Sequence, residues 1–554
     1  MKAVLANPDA YGELLKDSKG NYYGVPQFSG GLAENPFIMR DSNYSQTKGF
    51  NINGTTYLNL MPIKGLTITT RLSYLFNSSR NYGYTKPYYG NEQVHSNFVS
   101  LNSGSSQSVY FQWENFINYT HTFKSGHTIG AMIGMSYSQN VYFGVNGSKQ
   151  GSYQDGVLDL GVKQNDPNFY YFAYATPTAT STVSGGEESY SRKNSYFGRI
   201  NYDYKGRYLI QASLRADACD TAILPANNRW GFFPAVSAGW VISNENWMKN
   251  AHKVINHLKL RASWGQNGSV AVLGGYAYKN VIVSSGSYPT GSGMEYMPAY
   301  GPSSTGNNEL KWETAEQFNI GLDARFLRDS LSFSIDYYDK TTRDLIVTGI
   351  TPSTVVGVTA SPVNAGTIKN NGVEIELGWQ DYVGDFSYSI RGNVSTIAHK
   401  VTSIHPTINA IDGATFHTYG AITRFQKDMP AWYFYGYKFS GINETTGDPE
   451  FVDVDKDGQI TDNDKTYLGK GFADVNYGIT INLAWKGLSL NVFGTGAAGN
   501  DIYCCLNRQD YPVNKLTYFT EDRWTPTHTK ATMPRAGASN LDKYYVSSAY
   551  VFAG

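Results

Sequence analysis

No run of about 18 or more apolar residues occurs in this chain of 554, which excludes a transmembrane helix. Net charge is absent as well: 45 basic residues balance 45 acidic ones, so bulk electrostatics favours neither nucleic acid nor an acidic partner. Charged residues of both signs reach only 16%, against roughly 25% in an ordinary soluble domain. Cysteine is scarce, with Cys219, Cys504 and Cys505 the three present. Two of these are adjacent and none sits in a nucleophile motif, so neither a disulfide framework nor thiol catalysis is expected. The nine histidines lack both HExxH spacing and a close His/Cys cluster, which argues against zinc. The opening MKAVLA is broken by Asn7, Pro8 and Asp9 too soon for a signal peptide, and Met1 is not expected to be the native start.

What the chain has instead is 15% aromatic residues, with 44 Tyr, and 57 Gly. That mixture suits many strands, tight turns and aromatic girdles. The mean hydropathy of −0.38 does not argue against a membrane, because strands that alternate apolar and polar residues hide from a hydropathy window. The segment SYSRKNSYFGRINYDYKGRYLIQASLRAD (189–217) shows the pattern. Tyr208, Ile210, Ala212 and Leu214 fall on one side of a strand; Leu209, Gln211, Ser213 and Arg215 fall on the other. Before them, Tyr196, Ile200, Tyr202 and Tyr204 oppose Arg199, Asn201 and Asp203. A two-residue Lys205-Gly206 link between such strands predicts a tight antiparallel hairpin. One apolar face and one polar face suit a wall with lipid on one side and water on the other.

The pattern repeats in pairs: 49–60 with 66–76, 107–122 with 128–140, 232–242 with 258–265, 312–326 with 331–340, 369–379 with 386–398, and 477–485 with 488–496. A short helix is expected around 246–252, and 544–551 reads as a last, unpaired strand. Connections alternate between short links and long loops, the long ones near 79–106, 142–188, 218–231, 266–311, 342–367 and 498–543. Outer-membrane barrels have short periplasmic turns and long extracellular loops, which sets the orientation. Residues 432–440 also look like a strand, but counting them in the wall would put later hairpins on the wrong side. Residues 399–474 are therefore assigned to one extracellular excursion with its own hairpin. The expected fold is all-β: a transmembrane antiparallel β-barrel with long extracellular loops, in which residues 1–48 precede the first clear strand and 49–554 form the partial barrel. The count is about fifteen wall strands, an odd number that leaves open edges a bilayer does not tolerate, so the stretch reads as part of a larger barrel.

Several blocks, in this order, resemble the SusC/RagA family of TonB-dependent outer-membrane transporters. They are NSYFGRINYDYKGRYLIQASLRAD, RWGFFPAVSAGWVISNENWM (229–248), LKLRASWGQNG (258–268), LKWETAEQFNIGLDARFL (310–327), SIDYYDKTTRDLI (334–346) and NNGVEIELGW (370–379). WYFYGYKFSGI (432–442), GDPEFVDVDKDGQITDNDKTYLG (447–469) and DRWTPTHTKATMPRA (522–536) continue the likeness. The resemblance implies a plugged barrel of about 22 strands in the bacterial outer membrane. It also implies a TonB complex as energy source, a SusD-like surface lipoprotein as lid, outer-membrane lipid around the wall, and oligosaccharide or peptide ligands. Matching plug and TonB-contacting segments are not found before Gly49, and about seven strands of the family pattern are not matched after Tyr545.

The sharpest local motif is Asp453-x-Asp455-x-Asp457-Gly458-Gln459, with Asp464 at the twelfth position. Alternate carboxylates converge on one hard cation, Gly458 permits a sharp turn, and Gln459 offers a backbone carbonyl, so a structural calcium ion is expected. A solvated acidic turn is the alternative, and Asp464 is shorter than the Glu that closes such loops bidentately. No catalytic residue is expected. Glu374 and Glu376 are strand-spaced and read as pore lining rather than an acid/base pair, while Glu187-Glu188 has no partner motif. Gly185-Gly186 and Gly274-Gly275 lack the strand-to-helix context of a phosphate cradle. A barrel hydrolase would need a Ser/His/Asp constellation, and His95 and His417 bring none. A surface binding barrel without transport is the other alternative. Tyr82, Tyr84, Tyr88 and Tyr89, and Tyr170, Tyr171 and Tyr174, form loop clusters suited to stacking on ligand, on a partner or on one another.

Overall fold

The computed structural model describes residues 18, 20, 22, 35–90, 94–291, 295–348, 357–406, 408–413, 415, 419–504 and 520–554. Its main feature is one antiparallel sheet of 15 strands, of which all but one follow each other as a continuous meander. The meander consists of β1 (Asn43–Leu60), β2 (Leu66–Thr85), β3 (Ser100–Thr122), β4 (His127–Gln150), β5 (Thr180–Tyr204), β6 (Tyr208–Cys219) and β7 (Trp230–Val241). It continues with β8 (Ile255–Ser269), β9 (Glu313–Phe326), β10 (Leu331–Val347), β11 (Val363–Val383), β12 (Phe386–Thr396), β13 (Val475–Trp485) and β14 (Leu488–Ala498). The fifteenth strand, Ala398–Ile404, lies off this path and pairs with the outer part of β11.

The short links fold as the sequence dictates. Lys205 and Gly206 both have positive φ (56° and 63°), as do Lys486 and Gly487 (45° and 87°). Such paired left-handed residues make the two-residue turn whose twist matches the flanking strands, and glycine carries the second position without a Cβ clash. The turn sets Ile200 opposite Ala212 and Asn201 opposite Gln211, so the apolar residues of both strands share a face. A 3₁₀ segment, Asn246–Lys253, occupies the β7–β8 connection where a short helix was expected.

The apolar face points away from the protein. Ile133, Ile200, Leu214 and Leu377 stand exposed on it, whereas Arg261, Asp323, Asp336, Glu374 and Glu376 lie on the other face. On β5 the outward rings Tyr204 and Tyr196 mark two levels. Tyr204 stacks with Tyr208, which stacks with Trp240, beside the tight turns; Tyr196 stacks on Trp230 further out. The two levels are about 26 Å apart along the strand at 3.3 Å per residue, somewhat less once tilted. An apolar band about 25 Å tall between aromatic girdles is what a membrane barrel requires.

Strand height changes abruptly along the wall. β3, β4 and β5 have 23, 24 and 25 residues, whereas β6 and β7 have 12 each. A spanning strand needs about 9–11, so the tall strands continue well beyond the outer girdle. Among the described residues, no ladder joins β1 to β14.

Above the wall, the β12–β13 connection builds a separate body. Tyr433–Tyr437 pairs with Thr423–Gln426 and with Lys465–Gly469 in a four-stranded sheet, not in the wall. Residues 433–437 therefore lie outside the wall, whereas Ala398–Ile404, at the start of the expected 399–474 excursion, belongs to the wall sheet. Its core joins Val401, Ile411, Phe425 and Ala431 to Val347 and Ala365 at the outer ends of β10 and β11. The expected last strand over 544–551 is corrected. Leu541–Tyr545 is a short helix, Ser548–Tyr550 a 3₁₀ turn, and only Val551–Ala553 is extended, pairing with Asp501–Tyr503. Tyr544, Tyr545 and Tyr550 all pack inward, against Phe439 and Phe451, and burying adjacent rings on one side is something a two-sided wall strand does not allow. Without that segment the meander has an even number of strands.

Candidate functional site

The acidic loop lies between the short strands Pro449–Phe451 and Lys465–Gly469 of the outer body. Its backbone is turned by its own carboxylates. Asp453 accepts from the N–H groups of Lys456 (2.6 Å) and Gly458 (2.8 Å), Asp455 from Asp457 (3.2 Å), and Asp457 from Gln459 (2.7 Å). Gly458, at φ +83°, supplies the left-handed step. The result brings carboxylate oxygens of Asp453, Asp455 and Asp457 within 4.8 Å of one another. Gln459 follows directly, fixed by its N–H.

Asp464, the twelfth position, is fully buried behind the other three. Its oxygens accept N–H bonds from Val454 (2.7 Å), Asp455 (3.4 Å) and Thr461 (2.7 Å). Thr461 caps the 3₁₀ turn Asp462–Asp464 and Asp464 answers it, a reciprocal capping box. The Thr461 amide, with those of Val454 and Asp455, holds the Asp464 carboxyl below the usual range despite burial. Asp455 moves the other way, raised by burial and by the neighbouring Asp457, Asp464 and Asp453 charges. Like charges gathered by a preformed backbone, with hard oxygen donors, suit a divalent cation such as calcium.

The loop is not a free flap. Lys543 Nζ donates to the Ile460 carbonyl (2.5 Å), Tyr437 Oη to Asp462 (2.8 Å), and Lys465 pairs with Asp462 at 3.0 Å. Tyr437 also bridges to Ser547, Arg535 pairs with Asp448 (3.1 Å), and Trp524 Nε1 donates to the Glu444 carbonyl (3.0 Å). The described residues of two segments that look separate in sequence, 399–474 and 499–554, thus form one body. Reading by local pattern missed this, because the joining contacts are 80 or more positions apart. Within the second segment, His528 and Thr532 side chains hydrogen-bond Asp522 and pull its carboxyl down to about 2.

The loop tyrosines pack chiefly on one another. Tyr82 stacks on Tyr171 (4.9 Å) and its hydroxyl donates to the Tyr170 carbonyl; Tyr84 meets Tyr170 edge-on (4.9 Å) and stacks on Tyr44 (5.1 Å). Tyr174 packs on Phe169, and Tyr89 sits 5.8 Å from His95 in a two-residue hairpin with Tyr88. Tyr44 escaped notice in sequence, and only its register opposite Tyr84 brings it in. Cys219 is buried beside Leu224 and Leu310, and Cys504 is half-buried; Cys505 and His417 lie outside the described residues.

The inner face is a polar, ion-paired surface. Arg261 is forked between Asp323 (3.0 Å) and Asp336 (2.6 Å) on the next two strands, and Lys369 pairs with Asp339 at 2.8 Å. Glu374 and Glu376 line a groove of about 1000 Å³ with Asp336, Arg391 and Asn393. These carboxylates lie along an open wall rather than facing each other across a cleft.

The family model described as "TonB dependent receptor-like, beta-barrel" matches residues 6–502. The chain is 27% identical to the TonB-dependent receptor P26 of Formosa agariphila, over 98% of this chain and 54% of that protein. It is also 27% identical to the TonB-dependent receptor SusC of Bacteroides thetaiotaomicron, over 62% of this chain and 35% of that protein. The chain therefore spans about half the length, or less, of the curated relatives it matches. Among solved structures it superposes on the RagAB peptide transporter with a TM-score of 0.77 at 20% identity, covering 93% of this chain and 55% of that one. The likeness to RagAB establishes the fold.

Proposed function

The chain belongs to the TonB dependent receptor-like β-barrel family of the bacterial outer membrane, and from that premise we propose that it forms the wall of an energy-coupled importer. The cargo is oligosaccharide or peptide, a SusD-like surface lipoprotein is the lid, and the TonB complex supplies the energy. The observation that carries this reading is the wall itself: apolar and aromatic outward, ion-paired and polar inward, and overtopped by tall strands on one side only. The wall separates lipid from water and lines a path, while its charged inner face offers pairing groups to whatever fills or crosses the lumen. The named relatives are receptors and a transporter rather than enzymes. The test is uptake of fluorescent maltooligosaccharides and of fluorescent decapeptides by cells carrying or lacking the full-length gene. One class should enter only when both the gene and a working TonB complex are present. Equal uptake of both classes in all strains would remove the import reading.

The acidic loop, in the same reading, holds one calcium ion that braces the outer body. Asp453, Asp455 and Asp457 supply side-chain oxygens, Gln459 its carbonyl, and Asp464 closes the loop. The convergence of three carboxylates on a hydrogen-bonded turn supports this. Calcium should slow proteolysis of residues 443–470 in the full-length protein, and Asp455→Asn should abolish the protection. Protection that survives the substitution would count against the site.

A further inference from the structure

Beyond the outer girdle, β5 is paired on one side only. Its ladder with β4 runs from Tyr204 out to Thr180, whereas its ladder with β6 ends where Cys219 meets Lys193. Among the described residues, nothing pairs with the other edge of residues 180–192. The same stretch is exposed residue after residue. At 3.3 Å per residue the open edge is at most roughly 40 Å long, broken at Gly185 and Gly186, and it lies outside Tyr196 of the outer girdle.

An open edge presents a row of N–H and C=O groups at strand spacing, and the chemistry that matches such a row is another extended polypeptide backbone. Sugars and lipids do not repeat donors and acceptors at that interval. The side chains add a direction. Along one face run Glu188, Tyr190 and Arg192, and along the other Glu187, Ser189, Ser191 and Lys193, so both faces are acidic toward the tip and basic toward the membrane. Glu188 accepts from Tyr190 Oη, and Arg192 lies over the Tyr190 ring, which holds the outer charges in order along the strand. Gly185 and Gly186, both at positive φ, fall where the register with β4 shifts, so the tip above them bends away from a continuous ladder. A second copy does not fit. Two copies in one bilayer point β5 the same way, and two-fold symmetry about the membrane normal cannot set these edges antiparallel.

We propose that residues 180–192 of β5 are a docking edge for an extended strand of a different surface protein, added antiparallel and carrying acidic residues at its membrane end and basic residues at its outer end. This does not depend on what the wall imports. Because β5 runs toward the membrane, the added strand runs away from it, with its acidic part N-terminal.

The experiment uses the full-length protein in detergent and three labelled twelve-residue Thr/Val peptides read by fluorescence anisotropy. One is acidic at the N-terminal end and basic at the C-terminal end, the second has the charges exchanged, and the third is the first with alternate amides N-methylated. The first should bind about tenfold tighter than the second, since several cross-strand charge pairs change sign together. N-methylation should abolish binding by removing the edge donors. Replacing Glu187 and Glu188 by Lys, and Arg192 and Lys193 by Glu, should exchange the preference between the first two peptides. These are exposed positions, and unchanged heat-modifiable migration on gels would show that the wall still folds. Absence of saturable binding, equal binding of the first two peptides, or full binding of the methylated one would overturn the proposal. So would a self-associated protein cross-linked through Ser189→Cys, which would assign the edge to a second copy.

Discussion

Ile200 and Phe425 are both large apolar side chains on β-strands, yet Ile200 is 59% exposed and Phe425 is 0% exposed. Ile200 stands on the outward face of β5, between Ala131 of β4 and Ala212 of β6. Phe425 lies in the small sheet of the outer body, packed with Val401, Ile411 and Ala431. Both obey the same rule, that apolar surface leaves water, but the medium that receives it differs. In the wall the receiving medium is lipid, so the protein has no core there and its charges line the inside. In the outer body it is protein, and the arrangement is that of an ordinary globular domain.

The comparison breaks most sharply at Phe425. Phe425→Ala should cost the outer body about 3–5 kcal/mol, because a filled core becomes a cavity. The loss should appear as rapid proteolysis between 399 and 474 while the wall keeps its heat-modifiable migration. Ile200→Lys should cost about 2–4 kcal/mol of wall stability, as a charge near mid-depth on the lipid face. Gln211→Lys, at the same level on the inner face, should change stability by no more than about 0.5 kcal/mol. Urea titrations of the full-length protein refolded into lipid vesicles would compare these two; a larger cost at Gln211 would mean that the faces are assigned the wrong way round, and equal costs would remove the two-faced wall.

The smallest expected effect is a pH dependence confined to the outer body. Asp522 is held at about 2 by His528 and Thr532, below its ordinary 3.8. A depressed carboxyl stabilises above its unfolded pKa and loses that contribution as pH falls through the folded one. Protection factors against hydrogen exchange around residues 522–535 should therefore hold above pH 5 and fall between about 4 and 2. Asp522→Asn should remove that fall.

The strand pairs were legible because each carries a complete local signal. Lys205-Gly206 and Lys486-Gly487 fix a turn, and the turn fixes which residues share a face. The acidic loop was legible for the same reason: its spacing and glycine specify the Asp453, Asp455 and Asp457 cluster without help from afar. Asp464 was only half legible. Its place in the loop followed from spacing, but its engagement with three backbone amides depends on how the loop closes. The segment 544–551 was misread because Tyr, Val and Ser alternate there much as they do in the wall. The difference lies in Phe439 and Phe451, distant in sequence, which draw the tyrosines to one side.

By itself, then, the sequence determined the alternation, the turns, the orientation of the wall and the acidic motif, all of which rest on interactions within a few residues or between adjacent strands. Tertiary structure alone decided which tall strand would be left with an open edge, and which two loops would fuse into one body. Those outcomes depend on how far each ladder runs and on contacts such as Lys543 to Ile460 and Tyr437 to Ser547. No local pattern encodes them, because the partners meet only after the wall between them has folded.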